Sequence, residues 1–234
     1  MTVFLLLLMI CIIPCLKSPS DSEKKTLHNE FEDFRRWSTR KKLNLNKDKT
    51  QQIRFSLNPT NEDLCHCDPI DDLCAVTKIK LLGIVFQKNC LFTKHVKCLI
   101  SHCKSLLYLL KDLRIHKVPI QDVEKLFNAV ILSRIRYGIS VYGCDQRALH
   151  KVDIFLQKCY SRNLISKPIS VQDLLKAEDT RILHNILNSP NHPLRAYILT
   201  HTKSRRTRHN FFGVKPRTFT KLFLNSFCHR VLSY

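Results

Sequence analysis

The apolar residues of this chain change their spacing for good at Thr93, and that change limits the folds open to it. Before it, Ile53, Phe55 and Leu57 alternate with polar residues, as on a strand with one buried face. Ile79 to Phe86 reads as a strand packed on both faces, with Gly83 in its middle where another backbone can come close. After Thr93, residues Val96, Leu99, Cys103, Leu106, Leu110 and Leu113 form one long helical stripe. Only 4 glycines and 9 prolines argue against a turn-dense sandwich or barrel. With 234 residues, 44% of them hydrophobic, there is enough apolar material for packed cores. The expected class is α+β, mostly α, with a partial sheet of two to four strands ahead of a helical bundle.

The amino-terminal region is ambiguous. Val3 to Ile13 is an unbroken apolar run closed by Pro14. It is too short to cross a bilayer core of about 30 Å, which takes ~20 helical residues. As a secretion signal it lacks a basic leader, and Pro14 to Ser18 is not a clean small-x-small cleavage site. The other reading is a buried strand. Ser20 with Glu23 forms a capping-box signature, and Leu27, Phe31, Phe34 and Trp37 then recur at helical spacing up to Lys41 and Lys42. Asn44, Asn46 and Asp48 supply turn chemistry before the strand at Ile53.

Residues 58–76 are polar and broken by Asn58-Pro59 and Asp68-Pro69, which predicts a surface loop. It holds Cys65, His66, Cys67 and Cys74, a poor match to the paired spacings of a zinc site. Asp71-Asp72 in the same loop reads as a solvated acidic turn, because two-metal chemistry needs carboxylates on rigid elements. His95, His102 and His116 lie on helical patterns with no acid and nucleophile grouped beside them, and no glycine-rich phosphate loop is present.

Thr93 is placed as the N-cap of the first bundle helix. Val118-Pro119 restarts the chain, and Val123, Leu126, Phe127, Val130, Ile131 and Ile135 carry a second helix toward Gly138 or Gly143. A third runs from Gln146 to about Leu164, burying Leu149, Val152, Leu156 and Cys159. The short connections imply an antiparallel bundle. Beyond Lys167-Pro168, Ser170 with Asp173 starts a short helix, and Thr180 to Leu187 reads as another. The organisation expected is 1–92, 93–166 and 167–234.

Lys and Arg total 39 against 19 Asp and Glu, a net charge of +20, so a polyanionic partner is expected, with RNA or DNA the best fit. No acidic residue follows Asp179, whereas Arg205, Arg206, Arg208, Lys215, Arg217, Lys221 and Arg230 do. These cations suit phosphate contacts of low sequence specificity, while Phe219, Phe223 and Phe227 fit better as rings docked on the bundle. An odd count of 11 cysteines spread through helical patterns suggests buried thiols in a reduced compartment, nuclear or cytoplasmic. The rival reading is a secreted or membrane-tethered basic interaction protein.

One stretch carries a family resemblance. Trp37-Ser38, Leu43-Asn44-Leu45-Asn46, Lys49-Thr50 and Ile53-Arg54-Phe55-Ser56 resemble the segment after the catalytic motif of reverse transcriptases from non-LTR (LINE-type, jockey-like) retrotransposons. Ile79 to Phe86 is similar to their next motif, the primer-grip hairpin. The likeness continues through Tyr108-Leu109-Leu110, Leu113-Arg114, Ile131 to Gly138, Pro190 to Leu194 and Asn225-Ser226-Phe227.

The resemblance implies the end of a polymerase palm, a helical thumb gripping template and primer, and a basic tail. Lys49 matches the lysine after the catalytic turn, and Leu82, Gly83 and Ile84 match the primer grip. Met1-Thr2-Val3-Phe4 looks like the residues just after the family's Ala-Asp-Asp, which makes the apolar run a palm strand. No residue here matches those aspartates, which bind Mg2+ in intact members. The expectation is therefore a fragment with no catalytic residue or metal of its own, no small-molecule substrate and a residual capacity to bind RNA or DNA.

Overall fold

The computed structural model describes residues 2–5, 21–43, 46, 50–55, 73–202 and 225–232. Two compact units divide the chain, Met1–Lys94 and His95–Tyr234.

The first unit contains strands β1 (Thr2–Leu5), β2 (Gln51–Arg54), β3 (Cys74–Val76), β4 (Lys78–Leu81) and β5 (Ile84–Gln87), with one helix, α1 (Asp21–Arg40). The first three strands form a sheet in the order β1-β2-β3. β1 runs antiparallel to β2, pairing Thr2 with Arg54, and β3 runs parallel to β2, pairing Ile53 with Val76. The start of the apolar run is thus a strand, while residues 6–20 lie outside the described residues. Strands β4 and β5 form a separate antiparallel hairpin in which Leu81 faces Ile84.

Ile79 to Phe86 is consequently two strands and a turn, not one strand packed on both faces. Within β4, Ile79 is buried and Leu81 half-buried, whereas Lys78 and Lys80 face solvent. The lysines make the second face polar. Ile53 and Ile79 are the centre of this unit's core, with Phe55, Val76, Leu81 and Phe86 packed around them. On α1, Phe31 and Ser38 are buried and the Phe34 and Trp37 rings lie 5.6 Å apart, as the aromatic stripe predicted. The helix ends where Lys42 turns left-handed (φ 56°), which lets Leu43 N donate to Ser38 O at 2.9 Å.

Helix α2 (Thr93–Ile115) begins on a cap that spacing did not reveal. Buried Gln87, at the end of β5, accepts from Lys94 N at 2.8 Å and from Thr93 Oγ1 at 3.4 Å through its Oε1. Thr93, expected as the cap, instead occupies the first helical position.

Among the described residues, the rest of the second unit is helical: α3 (Ile120–Phe127), α4 (Ser133–Arg136), α5 (Ile139–Tyr142), α6 (Gln146–Ser161), α7 (Val171–Asn188), α8 (Pro193–Thr202) and α9 (Phe227–Val231). A π-helical turn, Asn128–Leu132, joins α3 to α4. Its origin lies in the sequence spacing. Val123, Phe127, Ile131 and Ile135 are all buried and recur every fourth residue, a spacing that drifts by about 40° per step around a 3.6-residue helix. The wider i→i+5 turn cancels that drift and returns Ile131 and Ile135 to the buried face.

Helix α7 is the centre of this unit and packs against α4, α5, α6, α8 and α9. It is a single helix where two were expected. Thr180, read as a helix start, donates its hydroxyl to Lys176 O at 2.8 Å, the back-bond of a helix interior. Ser170 caps it as predicted, accepting from Asp173 N at 3.3 Å. Asp145 caps α6, accepting from Arg147 N at 3.0 Å and Ala148 N at 3.2 Å.

The closest approach within this unit is at Gly143. A Cβ there would lie 2.5 Å from Ile139 O and 2.7 Å from Leu175 Cδ1 on α7. Gly143→Ala is therefore expected to cost about 1–3 kcal/mol through overpacking. At roughly 2–4 °C per kcal/mol in a chain of this size, thermal unfolding followed by circular dichroism should show a Tm lower by about 2–12 °C. An unchanged Tm would mean that α7 yields at Leu175.

Candidate nucleic-acid interface

The candidate residues divide between described and undescribed regions. Lys49, the tail cations Arg205, Arg206, Arg208, Lys215, Arg217 and Lys221, and Cys65 and Cys67 lie outside the described residues. Just past Lys49, Thr50 donates to Asn46 O from its backbone N (3.1 Å) and its Oγ1 (2.8 Å). Cys74 is exposed on β3. Among the described residues no group of His, Cys, Asp and Glu is arranged to hold a metal ion, and no helix is long and apolar enough to cross a membrane.

Leu82, Gly83 and Ile84 are described, and they separate into different environments. Leu82 and Gly83 form a two-residue hairpin turn with φ of 46° and 82°. Positive φ at both positions matches the right-handed twist of the flanking strands. Gly83 adopts it freely. Leu82 carries a cost of about 1–2 kcal/mol, yet it stays 65% exposed. Ile84, at 7% exposure, turns into the core and has no access to a ligand. The hairpin therefore presents an apolar tip on Leu82, with Lys78 and Lys80 on the solvent face of β4. Leu82→Gly should remove the backbone strain and stabilise the first unit by about 1 kcal/mol, readable in chemical denaturation; a loss of stability would show that Leu82 makes contacts that outweigh it.

One residue of the basic tail has a different role. Arg230, on α9, donates from Nε to Asp179 Oδ2 at 2.7 Å and from Nη2 to Asp179 Oδ1 at 3.0 Å. Nη2 also donates to Ser140 O at 2.9 Å, and Nη1 to Asn225 O. Asp179 is fully buried, with 0% exposure. This cation is committed to the fold and is set apart from the tail charges expected to contact phosphates. Phe227 packs with Ile186, Ile198 and Val231, which fits the expectation of a docked ring; Phe219 and Phe223 lie outside the described residues.

The Asp179 pair left a sequence signal that went unread. Val171, Leu174, Leu175, Asp179 and Ile186 share one helical face, and an acid within such a stripe needs a buried partner. Asp179→Ala should destabilise the second unit by about 3–5 kcal/mol by orphaning Arg230, whereas Asp179→Leu with Arg230→Met should restore most of the loss in a denaturation titration.

Near the centre of the helical unit, the buried His95 ring lies 5.2 Å from Tyr142, whose hydroxyl donates to Ile135 O. Burial pushes the Cys103 thiol up to about 11 and that of Cys159 to about 12, so both stay protonated and unreactive at neutral pH. Burial also pulls the His95 imidazole below its ordinary 6.5. The unfolded chain then binds the extra proton first, so this contribution is fully present above pH 6.5 and declines as pH falls below it. A Tm lower at pH 5.5 than at pH 7.5 is expected, and a smaller difference in His95→Gln; equal pH dependence in both proteins would rule His95 out.

Comparison with known proteins adds no relative: no protein family, curated protein or solved structure matches this chain.

Proposed function

We propose that this chain is the carboxy-terminal part of a non-LTR retrotransposon reverse transcriptase, comprising the end of the palm, the thumb and a basic tail. Its role is to hold RNA or DNA. The observation that carries this reading is the ordered series of family-like words from Trp37-Ser38 to Asn225-Ser226-Phe227. A small sheet with a tight hairpin at Leu82-Gly83, followed by helices, is consistent with it. The pairing of Thr2–Leu5 with β2 favours the strand reading of the amino-terminal run over a secretion signal.

No residue here matches the family's metal-binding aspartates, so none is assigned a part in phosphoryl transfer. Lys49 is assigned to the nucleotide side of the site and Leu82 to the primer strand. Arg205, Arg206, Arg208, Lys215, Arg217 and Lys221 are assigned to phosphates, with little sequence preference. Intact members of the family use Mg2+.

Six such contacts on single-stranded RNA give a salt dependence, log K against log salt, of about −4. Fluorescence anisotropy with a labelled 20-nucleotide RNA should show a slope at least that steep. Replacing Arg205, Arg206 and Arg208 together by Gln should flatten it by about 2. Affinity that does not change with salt would overturn the assignment. In primer extension the purified chain should incorporate no nucleotide above a mock preparation; incorporation would overturn the non-catalytic reading.

A further inference from the structure

The outer face of α2 carries a second pattern beside the stripe it buries. Val96, Cys103, Leu107 and Leu110 lie in the core. Lys97, Ser101, Lys104, Tyr108, Lys111 and Ile115 are all exposed, and they recur at steps of four, three, four, three and four residues. At about 100° per residue these six fall within an arc of ~80°, centred about 110° round the helix from the buried stripe. Alternating steps of four and three are the spacing of a coiled-coil seam. Over about 27 Å they place Lys97, Lys104 and Lys111 in one set of layers, the a positions, and Ser101, Tyr108 and Ile115 in the other, the d positions.

Exposed cations alone do not mark this face, since α6 has them too. Its apolar members do. Tyr108 at 78% and Ile115 at 75% are the most exposed large hydrophobic side chains among the described residues, whereas the outward Ile154 of α6 is at 37%. Phosphate contact would leave such side chains in water; a packed partner helix would cover them. The charges then limit that partner. Among the described residues Lys97, Lys104 and Lys111 form no ion pair, and the one acid of α2, Asp112, lies 3.9 Å from His116. A parallel pair of copies would set lysine against lysine in three layers, and in either direction two chains of net charge +20 repel.

We infer that the outer face of α2 is a docking site for an acidic amphipathic helix of another protein, one with carboxylates opposite the three lysines and aliphatic side chains opposite Ser101, Tyr108 and Ile115. This surface is independent of the nucleic-acid reading above. Charged residues in the a layers select the partner at a cost in stability, so the contact is weak and reversible.

The test uses the full chain with three fluorescent three-heptad peptides as probes. One has Glu at every a position and Leu at every d for a parallel partner, one has the two exchanged for an antiparallel partner, and one is a scramble of the same composition. Anisotropy should show saturable binding of a heptad peptide and none of the scramble. Lys104→Glu with Lys111→Glu should weaken that binding about 10-fold, and should confer binding to a peptide with Lys in place of Glu. Tyr108→Ala with Ile115→Ala should weaken it about 10-fold as well. All four sites are exposed, so unfolding curves should stay close to the parent chain's. Equal binding of the scramble, or no saturable binding of either heptad peptide up to about 1 mM, would overturn the inference. So would a dimer in light scattering that Tyr108→Ala with Ile115→Ala disperses, which makes the face a self-contact. If the two-lysine variant loses single-stranded RNA but keeps the peptide, the face is a phosphate contact and the inference likewise fails.

Discussion

The helical unit depends most on one buried charge. Removing a carboxylate from water costs several kcal/mol unless its oxygens are matched, and Asp179 is matched on both by the Arg230 fork. A lysine could not supply that bidentate geometry. The guanidinium spans contacts 51 residues back to Asp179 and 90 residues back to the Ser140 carbonyl. Helix α9, with 5 residues, is too short to be stable alone and owes its structure to this docking. Helix α7, which carries Asp179, is also the element against which most of the unit packs. Electrostatic matching and apolar packing therefore meet on the same element.

The charge excess becomes more specific once partners are assigned. A net charge of +20 says only that some polyanion is favoured. Local pairs on α1, α3 and α7 and the buried Arg230 remove part of it from consideration. Exposed cations with no ion pair among the described residues include Lys78 and Lys80 on the hairpin flank, Lys97, Lys104 and Lys111 on α2, and Arg147, Lys151 and Lys158 on α6. Surface pairs contribute little to stability, but their presence or absence shows where the protein's field is left unopposed.

Sequence periodicity was legible where one residue type had one role. The amphipathic α1, the change of period at Thr93, the cap at Ser170 and the buried Cys103 and Cys159 all followed from spacing. It misled where a side chain acted at a distance. Gln87 caps a helix from the end of a strand, which propensity cannot signal because the partner amide is 7 residues away. Thr180 imitated a cap because back-bonding and capping use the same hydroxyl. Ile79 to Phe86 looked uniformly apolar until Lys78 and Lys80 were placed on one face by the hairpin register. Of the candidate site, the Leu82-Gly83 turn was recognisable as a word before it was understood as a geometry, and Ile84 in that word faces the core.

The wide turn at Asn128–Leu132 gives this stretch an unusual response to changes in length. In an ordinary surface helix, losing or gaining a residue shifts phase by about 100° and usually buries the wrong face. Here the π turn already holds the surplus of one residue. A single deletion within it would leave a regular α-helix, and because the lost residue takes away the same ~100° that the wide turn had absorbed, Ile135 would stay on the core face. The stretch acts as a phase corrector between two helical segments, and a one-residue deletion should be tolerated best at the point where its hydrogen bonding is loosest.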